Sequence, residues 1–213
     1  MIDLNGMEKR GYDWKDGGPT SAHEYILPTL VRLIRGIAQG KALRIVDIGC
    51  GNGYIAGHLA LEGHKVVGID SAPEGIVNAK TSYPGAVFHE CSVYAHDLPE
   101  LLGNDNDCVI AIELVEHLFF PSHLFEQAYV ILKPAGRLIV STPYHGYLKN
   151  LGISLCNGWD RHFKVEWEGG HIKFFSWRTI ERLGRTSGFR NCRFYGVGRV
   201  PLLWKSMIMT FEK

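Results

Sequence analysis

The stretch Val46-Asp47-Ile48-Gly49-Cys50-Gly51-Asn52-Gly53 constrains the chain more than any other. Ahead of it, Leu43-Arg44-Ile45-Val46 is short, apolar and β-branched, the composition of a strand buried on both faces of a parallel sheet. Behind it, Ile55 and Leu59 recur at helical spacing within Tyr54–Ala60. Three glycines in five residues therefore sit on a strand-to-helix hinge. Glycine lets the backbone turn sharply there and lets a ligand approach the main chain without meeting a Cβ. The following helix directs its free N–H groups at that ligand. The arrangement predicts a nucleotide-type site.

The spacing narrows the ligand. A dinucleotide loop has its glycines as G-x-G-x-x-G, whereas here they fall at 49, 51 and 53. Asp47 stands two residues before the first of them. A carboxylate so placed repels a pyrophosphate and attracts a ligand carrying an ammonium and a sulfonium. S-adenosylmethionine (SAM) is such a ligand. A glycine-rich turn that holds nothing is the plainer alternative.

Length and composition bound the rest. With 213 residues, 46% hydrophobic and 21% charged, the chain suits one domain with a substantial core. Its five cysteines, at 50, 91, 108, 156 and 192, are odd in number and form no C-x-x-C pair. No secretory leader and no bilayer-spanning apolar run is visible, so a reducing cytoplasm is expected. Residues 141–213 carry 12 Lys and Arg against 5 Asp and Glu, a surplus hidden by the net charge of +1. That basic third is open to two readings. It faces an anionic substrate, a membrane surface or nucleic acid, or it is solvated helix and strand surface.

In chain order, residues 1–20 lack periodicity but hold Tyr12, Trp14 and a Gly17-Gly18-Pro19 break; they read as a frayed start or as a lid. Apolar residues predict an amphipathic helix over 21–38, with a kink or later start at Pro28 and a stop at Gly40. Lys65–Asp70 reads as a second strand ending in an acid, placed where nucleotide-binding βαβ units hold ribose hydroxyls. Asp70 as a plain helix cap, with Ser71 able to take that role, is the alternative. A helix over 73–82 and a third strand over 86–91 follow, leading to Ser92-Val93. A fourth strand over 107–113 runs into Leu114-Val115-Glu116-His117-Leu118, then a helix over 121–132. A turn at Lys133-Pro134-Ala135-Gly136 enters a fifth strand over 137–142. The alternation implies a doubly wound, mostly parallel sheet in an α/β fold. Residues 143–175 break the rhythm with aromatics and histidines, and they leave a strand's carboxyl end, which predicts a substrate-side insertion. A helix over 176–187 capped by Ser176 and a final antiparallel hairpin (190–197, 206–212) close the chain.

Taken together, D-x-G-x-G-x-G at 47–53, Ile69-Asp70, and Glu113-Leu114-Val115-Glu116-His117-Leu118 with Lys133-Pro134-Ala135-Gly136 resemble class I SAM-dependent methyltransferases. The E-x-x-E-H-L and K-P-x-G pieces look most like the ubiquinone-biosynthesis O-methyltransferase branch. The resemblance covers residues 40–142 and, more loosely, 171–189. It implies a Rossmann-like seven-stranded class I fold in one domain; the N-terminus lies outside the resemblance, and a helical lid over about 1–40 is expected from its own residues. It also implies cofactor contacts at Asp47, Gly49, Cys50, Gly51, Asn52, Gly53, Asp70, Ser71, Ser92, Val93, Glu113 and Leu114. Where the family commonly has an acid beside the adenine, this chain has Cys91. By the same resemblance Glu113, Glu116 and His117 hold Mg²⁺ or Mn²⁺, unless they merely cap and solvate the next helix.

Methyl transfer asks the protein to align donor and acceptor and to take a proton. His117, His145 and His171 are the candidate bases, with His117 first because it follows strand 4. The expected activity is SAM-dependent methylation of a small-molecule acceptor, an aromatic or lipid-like hydroxyl, with S-adenosylhomocysteine (SAH) as product. Peripheral membrane contact fits a lipid-like acceptor. A nucleic-acid substrate ranks low, because no RNA-binding module or N-P-P-Y motif appears. A non-catalytic SAM-binding scaffold and an NAD-dependent oxidoreductase are the competing readings, the second disfavoured by Asp47.

Overall fold

The computed structural model describes residues 14, 16–163, 166, 167 and 169–213. In chain order its elements are α1 (His23–Ala38), β1 (Arg44–Ile48), α2 (Tyr54–Leu61), β2 (Lys65–Asp70), α3 (Pro73–Ser82), β3 (Val87–Glu90), α4 (Leu98–Leu102) and β4 (Asn106–Ile112). A 3-10 turn at Val115–His117 follows, then α5 (Pro121–Ile131), β5 (Leu132–Pro143), α6 (Tyr147–Leu155), α7 (Trp159–Phe163), α8 (Trp177–Thr186), β6 (Arg190–Val197) and β7 (Ser206–Glu212).

The strands form one sheet in the order β3-β2-β1-β4-β5-β7-β6. Side chains alternate across a strand, and that alternation divides the core. Ile45, Cys108, Ile110, Ile139 and Ile208 face the layer built by α1, α2 and α3. Val46, Val109, Ala111, Leu138, Val140, Met207 and Met209 face the layer built by α4, α5 and α8. Both faces of β4 are thus buried, which is why Cys108–Ile112 has no polar residue. Each fully buried Ile, Leu or Phe contributes roughly 1.5–3 kcal/mol relative to exposure. The apolar stripe of α1 is Ile26, Leu30, Ile34 and Ala38.

β1 pairs with β2 and β4, and β4 with β5, all parallel. The last two strands form a hairpin, and it is β7 that enters the sheet, antiparallel to β5, leaving β6 at the edge. Arg190 and Arg193 on β6 are exposed and charge that edge, a common defence against unwanted strand pairing.

Three local features differ from expectation. The first helix runs straight through Pro28, because Pro28 and Glu24, whose carbonyl loses its partner, both lie on the exposed face. β5 begins at Leu132, since Lys133–Gly136 is absorbed as an irregularity between the Asn106↔Leu132 and Cys108↔Arg137 pairs, with Ala135 at φ 63°. Residues 143–175 contain α6 and α7, and neither helix buries a residue. Among the described residues no helix is long and apolar enough to cross a membrane.

Asn106 is buried at the entry to β4, and its Nδ2 donates to the carbonyls of Leu102, Gly103 and Ile131 at 3.2, 3.3 and 2.9 Å. One amide thereby ties the ends of α4 and α5 to the central strand. Asn106→Ala should cost about 1–3 kcal/mol, the range for leaving buried polar groups unsatisfied. Urea denaturation of wild type and variant measures it; a loss below about 0.5 kcal/mol would mean that water replaces the amide freely.

Candidate functional site

The carboxyl ends of β1, β2, β4 and β5 open into a cavity of about 850 Å³. Parallel α/β sheets place ligands at this end. Gly49 and Cys50 donate to the Ile69 carbonyl at 2.8 and 3.0 Å, which carries the loop after β1 across to β2. Gly49 has φ 76° and Gly53 φ 79°, and a Cβ at these positions would meet Leu114 and Ala79 at 2.7 Å. Only glycine satisfies both the conformation and the space.

Asp70 fixes this loop. One carboxylate oxygen accepts from Gly51 N at 2.8 Å and the other from Ala72 N at 2.8 Å. Asp47 lies beneath, 1% exposed, with Oδ2 unpartnered. Burial, with Asp70 close by, pushes its pKa up to about 8. Burial also raises Asp70, against the pull of backbone donors from Ala72, Gly51 and Ser71.

The N-terminal segment covers the loop. A Cβ on Gly51 would strike the Trp14 ring. Asn52 Nδ2 donates to the carbonyls of Asp16 and Gly18 at 2.7 Å, Asn78 donates to Trp14 O at 2.7 Å, and Tyr83 donates to Gly17 O at 2.6 Å. Tyr12, the other aromatic expected of a lid, lies outside the described residues.

After β4 the chain turns through Glu113 at φ 51°, so the block ahead of α5 is a turn rather than a helix. Glu113 accepts from Ser141 Oγ at 2.8 Å and from Ser206 Oγ at 3.1 Å, and Tyr25 OH meets that serine at 3.2 Å. Burial raises its pKa to about 7. Glu116 is 1% exposed, and neither carboxylate oxygen has a partner in good hydrogen-bond geometry; burial and Glu113 push it well above the usual range, against a weak pull from the nearby Thr142 hydroxyl. His171 Nε2 lies 4.0 Å from Glu116 Oε1, and the His117 and His171 rings meet edge to face at 4.9 Å. Burial brings His117 down to about 4 and lowers His171, so both imidazoles are neutral near pH 7.

Most of the expected site residues meet in this cavity. Asp47, Gly49, Cys50, Gly51, Asp70, Ser71, Glu113, Leu114, His117, His145 and His171 line it. Asn52 is engaged with the N-terminal segment instead, and Gly53 begins α2. Ser92 and Val93 are not among the lining residues: Ser92 Oγ accepts from Tyr94 N at 3.1 Å, and Val93 is in the core. The expected ligand trio of Glu113, Glu116 and His117 is also regrouped. Ligand atoms of Glu116, His117 and His171 lie within 4.8 Å of one another, while Glu113 is outside that group and bonded to serines. His145 stacks on Phe163 and packs edge-on against Phe174, and it is not a member of the Glu116, His117 and His171 group. Sequence reading missed Ser141 of β5 and Ser206 of β7, which bond to Glu113, and Tyr25 of α1, which meets Ser206; nothing in their spacing signals it. It also missed Lys149 and Arg199, both on the cavity wall, although the basic surplus of residues 141–213 pointed toward them.

A family model described as a methyltransferase domain matches residues 21–193. A ubiquinone biosynthesis O-methyltransferase of Azorhizobium caulinodans is 36% identical over 179 residues, covering 80% of this chain and 69% of that protein. The namesake from Pseudomonas savastanoi pv. phaseolicola is 31% identical over 101 residues, and the chain spans 44% of its length. Among solved structures, a SAM-dependent methyltransferase from Archaeoglobus fulgidus superposes with TM-score 0.67 at 18% identity, over 88% of this chain and 93% of that one. Magnesium protoporphyrin IX methyltransferase from Synechocystis PCC 6803, solved with SAH, gives 0.66 at 18%, over 94% and 90%. The fold is the class I one.

The unpartnered Asp47 yields a pH-dependent expectation for the ligand-free protein. Its folded pKa of about 8 exceeds the ordinary 3.8. It therefore supports folding while protonated, and that support is lost as pH rises from about 4 through about 8. Asp47→Asn should stabilise the ligand-free chain above pH 8 by about 1–3 kcal/mol, with the gain vanishing toward pH 4. Thermal melts across that range check it; a pH-independent difference would mean that Asp47 is ionised and solvated.

Proposed function

We propose SAM-dependent methyl transfer to a small-molecule acceptor as the function, because the chain belongs to the methyltransferase domain family. The observation that carries the reading is a single cavity joining the glycine loop and the unpartnered Asp47 to the imidazoles of His117 and His171. In this reading the SAM ammonium meets Asp47 Oδ2, and an ion pair there removes the cost of burying that carboxylate. The ribose hydroxyls bond to Asp70. A carboxylate offers about four acceptor sites, so the backbone donors of Gly51, Ala72 and Ser71 still leave capacity for them.

In the reaction the methyl carbon leaves sulfur with the C–S electron pair staying on sulfur, a C–O bond forms, and the acceptor loses its proton. The chain's part is alignment and proton removal. Without a bound metal, His117, neutral near pH 7, is the proton acceptor at the end of β4, and with a metal it is a ligand instead. The hydroxyl acceptor is the finer part of the proposal, and the relatives' names as O-methyltransferases favour it. The insertion forms the acceptor wall, with Pro143, His145, Phe163 and Ile172 on the cavity. Its outer face exposes Tyr147, Leu148, Leu155 and Trp159, an apolar surface suited to peripheral membrane contact by a lipid-like acceptor.

A divalent ion fits the same end of the cavity. Glu116 offers a buried carboxylate with no partner, and neutral imidazole is the ligand form of histidine. Glu116, His117 and His171 would hold it, a donor set suiting Mn²⁺ and, less well, Mg²⁺. A bound ion would lower the pKa of the acceptor hydroxyl.

Calorimetry should show SAM and SAH binding and no NAD binding, and Asp70→Ala should weaken SAM by about 1.5–3 kcal/mol. Binding of NAD without SAM would overturn the proposal; unchanged SAM affinity in a folded variant would make Asp70 a loop brace only. For the metal, EDTA should suppress SAH release from a catechol acceptor, and Mn²⁺ or Mg²⁺ should restore it. Glu116→Gln and His171→Ala should lower turnover while leaving SAM affinity intact. If EDTA has no effect and only His117→Ala slows the reaction, by about 10²–10⁴, the residue is a plain base.

A further inference from the structure

The order of the sheet divides the cavity. The glycine loop and Asp70 leave the ends of β1 and β2, whereas Ser206 begins β7, paired with Pro143 at the end of β5. Three strand spacings, roughly 14 Å, separate β1 from β7. Tyr25 reaches the β7 side from α1. It lines the cavity, its hydroxyl meets Ser206 Oγ at 3.2 Å, and Lys205 Nζ stands 4.9 Å from its ring centroid. Gly198, at φ 91°, lets the ring seat there, since a Cβ at that position would stand 3.0 Å from it. The phenol is therefore held in place on the side of the cavity away from the loop that the cofactor would occupy.

Glu113 fixes the direction of the hydrogen bonds. A hydroxyl has one proton and two lone pairs. Ser206 Oγ gives its proton to Glu113 Oε2 at 3.1 Å, as Ser141 Oγ gives its own to Oε1 at 2.8 Å. Towards Tyr25, Ser206 is then an acceptor, and the phenol proton is committed to it. The chain runs one way, from Tyr25 to Ser206 to Glu113. What Tyr25 presents to the cavity is an oxygen with lone pairs and no proton. Among the described residues no other group reaches that oxygen. Tyr25 is half-buried, and an acceptor in such a wall favours a ligand that supplies a donor over one that does not.

We propose that Tyr25 is a specificity-determining residue of the acceptor pocket, its oxygen receiving a hydrogen-bond donor of the methyl acceptor other than the proton that leaves in the reaction. The inference rests on the methyl-transfer reading and adds a second recognition point to it. Removal of the reacting proton stays with the side of the cavity that holds His117, and Tyr25 keeps its own proton throughout. An ether in place of the recognised donor sets its lone pairs against those of Tyr25 and is disfavoured.

The test compares catechol with phenol, which lacks the second hydroxyl and adds no bulk, by calorimetry on the SAH-loaded protein near pH 8 with EDTA present. There Glu113, raised to about 7 by burial, is ionised and accepts from both serines. The chelator keeps metal binding by the diol out of the comparison. Wild type should bind catechol about threefold to tenfold more tightly than phenol, the scale of one neutral hydrogen bond. Tyr25→Phe should bring the two within about twofold of each other, with SAM affinity unchanged, which also reports folding. Ser206→Ala supplies the opposite sign. It releases the phenol proton, so 2-methoxyphenol, whose ether oxygen only accepts, should gain on catechol relative to wild type. A ring that merely packed would produce neither change.

Equal binding of catechol and phenol by SAH-loaded wild type overturns the proposal, as does binding of neither. A catechol preference that survives Tyr25→Phe overturns it too. SAM affinity falling in Tyr25→Phe would assign the phenol to the cofactor instead. Failure of wild type to bind SAM defeats the methyl-transfer reading itself, whereas SAM binding without a Tyr25-dependent preference defeats only this inference.

Discussion

A carboxylate oxygen buried without a hydrogen bond works against folding, and among the described residues Asp47, which lines the cavity at the end of β1, and Glu116, whose neighbours His117 and His171 line it, carry such oxygens. The surrounding structure is arranged to hold them there. Asp70 spends its oxygens on Gly51 and Ala72 instead of on a cation, and Ser141 and Ser206 occupy Glu113. Asp70 and Glu113 line the cavity with their oxygens engaged, and Asp47 lines it with Oδ2 lacking a hydrogen bond. Such unmet charge is expected where a cationic ligand supplies the missing partner. The sulfonium donor and a divalent ion are the two cations that the proposed chemistry would bring.

The sheet explains why the acids converge. Parallel pairing of β1 with β2 and β4 puts their carboxyl ends on one edge, so the loop at 49–53, Asp70 and Glu113 become neighbours despite separations of many residues. The Asp70–Gly51 bond spans 19 residues of sequence and ties two adjacent strand ends. Trp14 and residues 16–18 then pack over the loop through main-chain carbonyls that accept from Asn52, Asn78 and Tyr83. These are contacts through backbone oxygens. They constrain the identity of the donors, and the Trp14 ring adds a side-chain contact against Gly51 and Gly75.

Legibility in the sequence followed periodicity. Each central strand is a run of β-branched or apolar residues bounded by glycine or an acid, so β1, β2, β4 and β5 could be placed within a few residues. The antiparallel hairpin was legible because its two stretches are too close for a crossover. The insertion was not: α6 and α7 bury nothing, and a helix without a core face leaves no apolar stripe to read. The bonding of Glu113 was not legible for a different reason. A non-glycine residue at φ 51° is dictated by tertiary bonds to Ser141 and Ser206, which lie 28 and 93 residues away. His171 joined the cluster for the same kind of reason, since Ile172 and Lys173 both donate to the Glu116 carbonyl at 3.0 Å and draw that segment onto the turn.

The most direct test of the account is a crystal structure of the chain with SAH. The account predicts the ammonium of SAH within about 2.7–3.2 Å of Asp47 Oδ2. It also predicts the ribose hydroxyls on Asp70 and the sulfur facing the side of the cavity that holds His117 and His171. SAH bound elsewhere, or bound here with Asp47 still without a cationic partner, would contradict it.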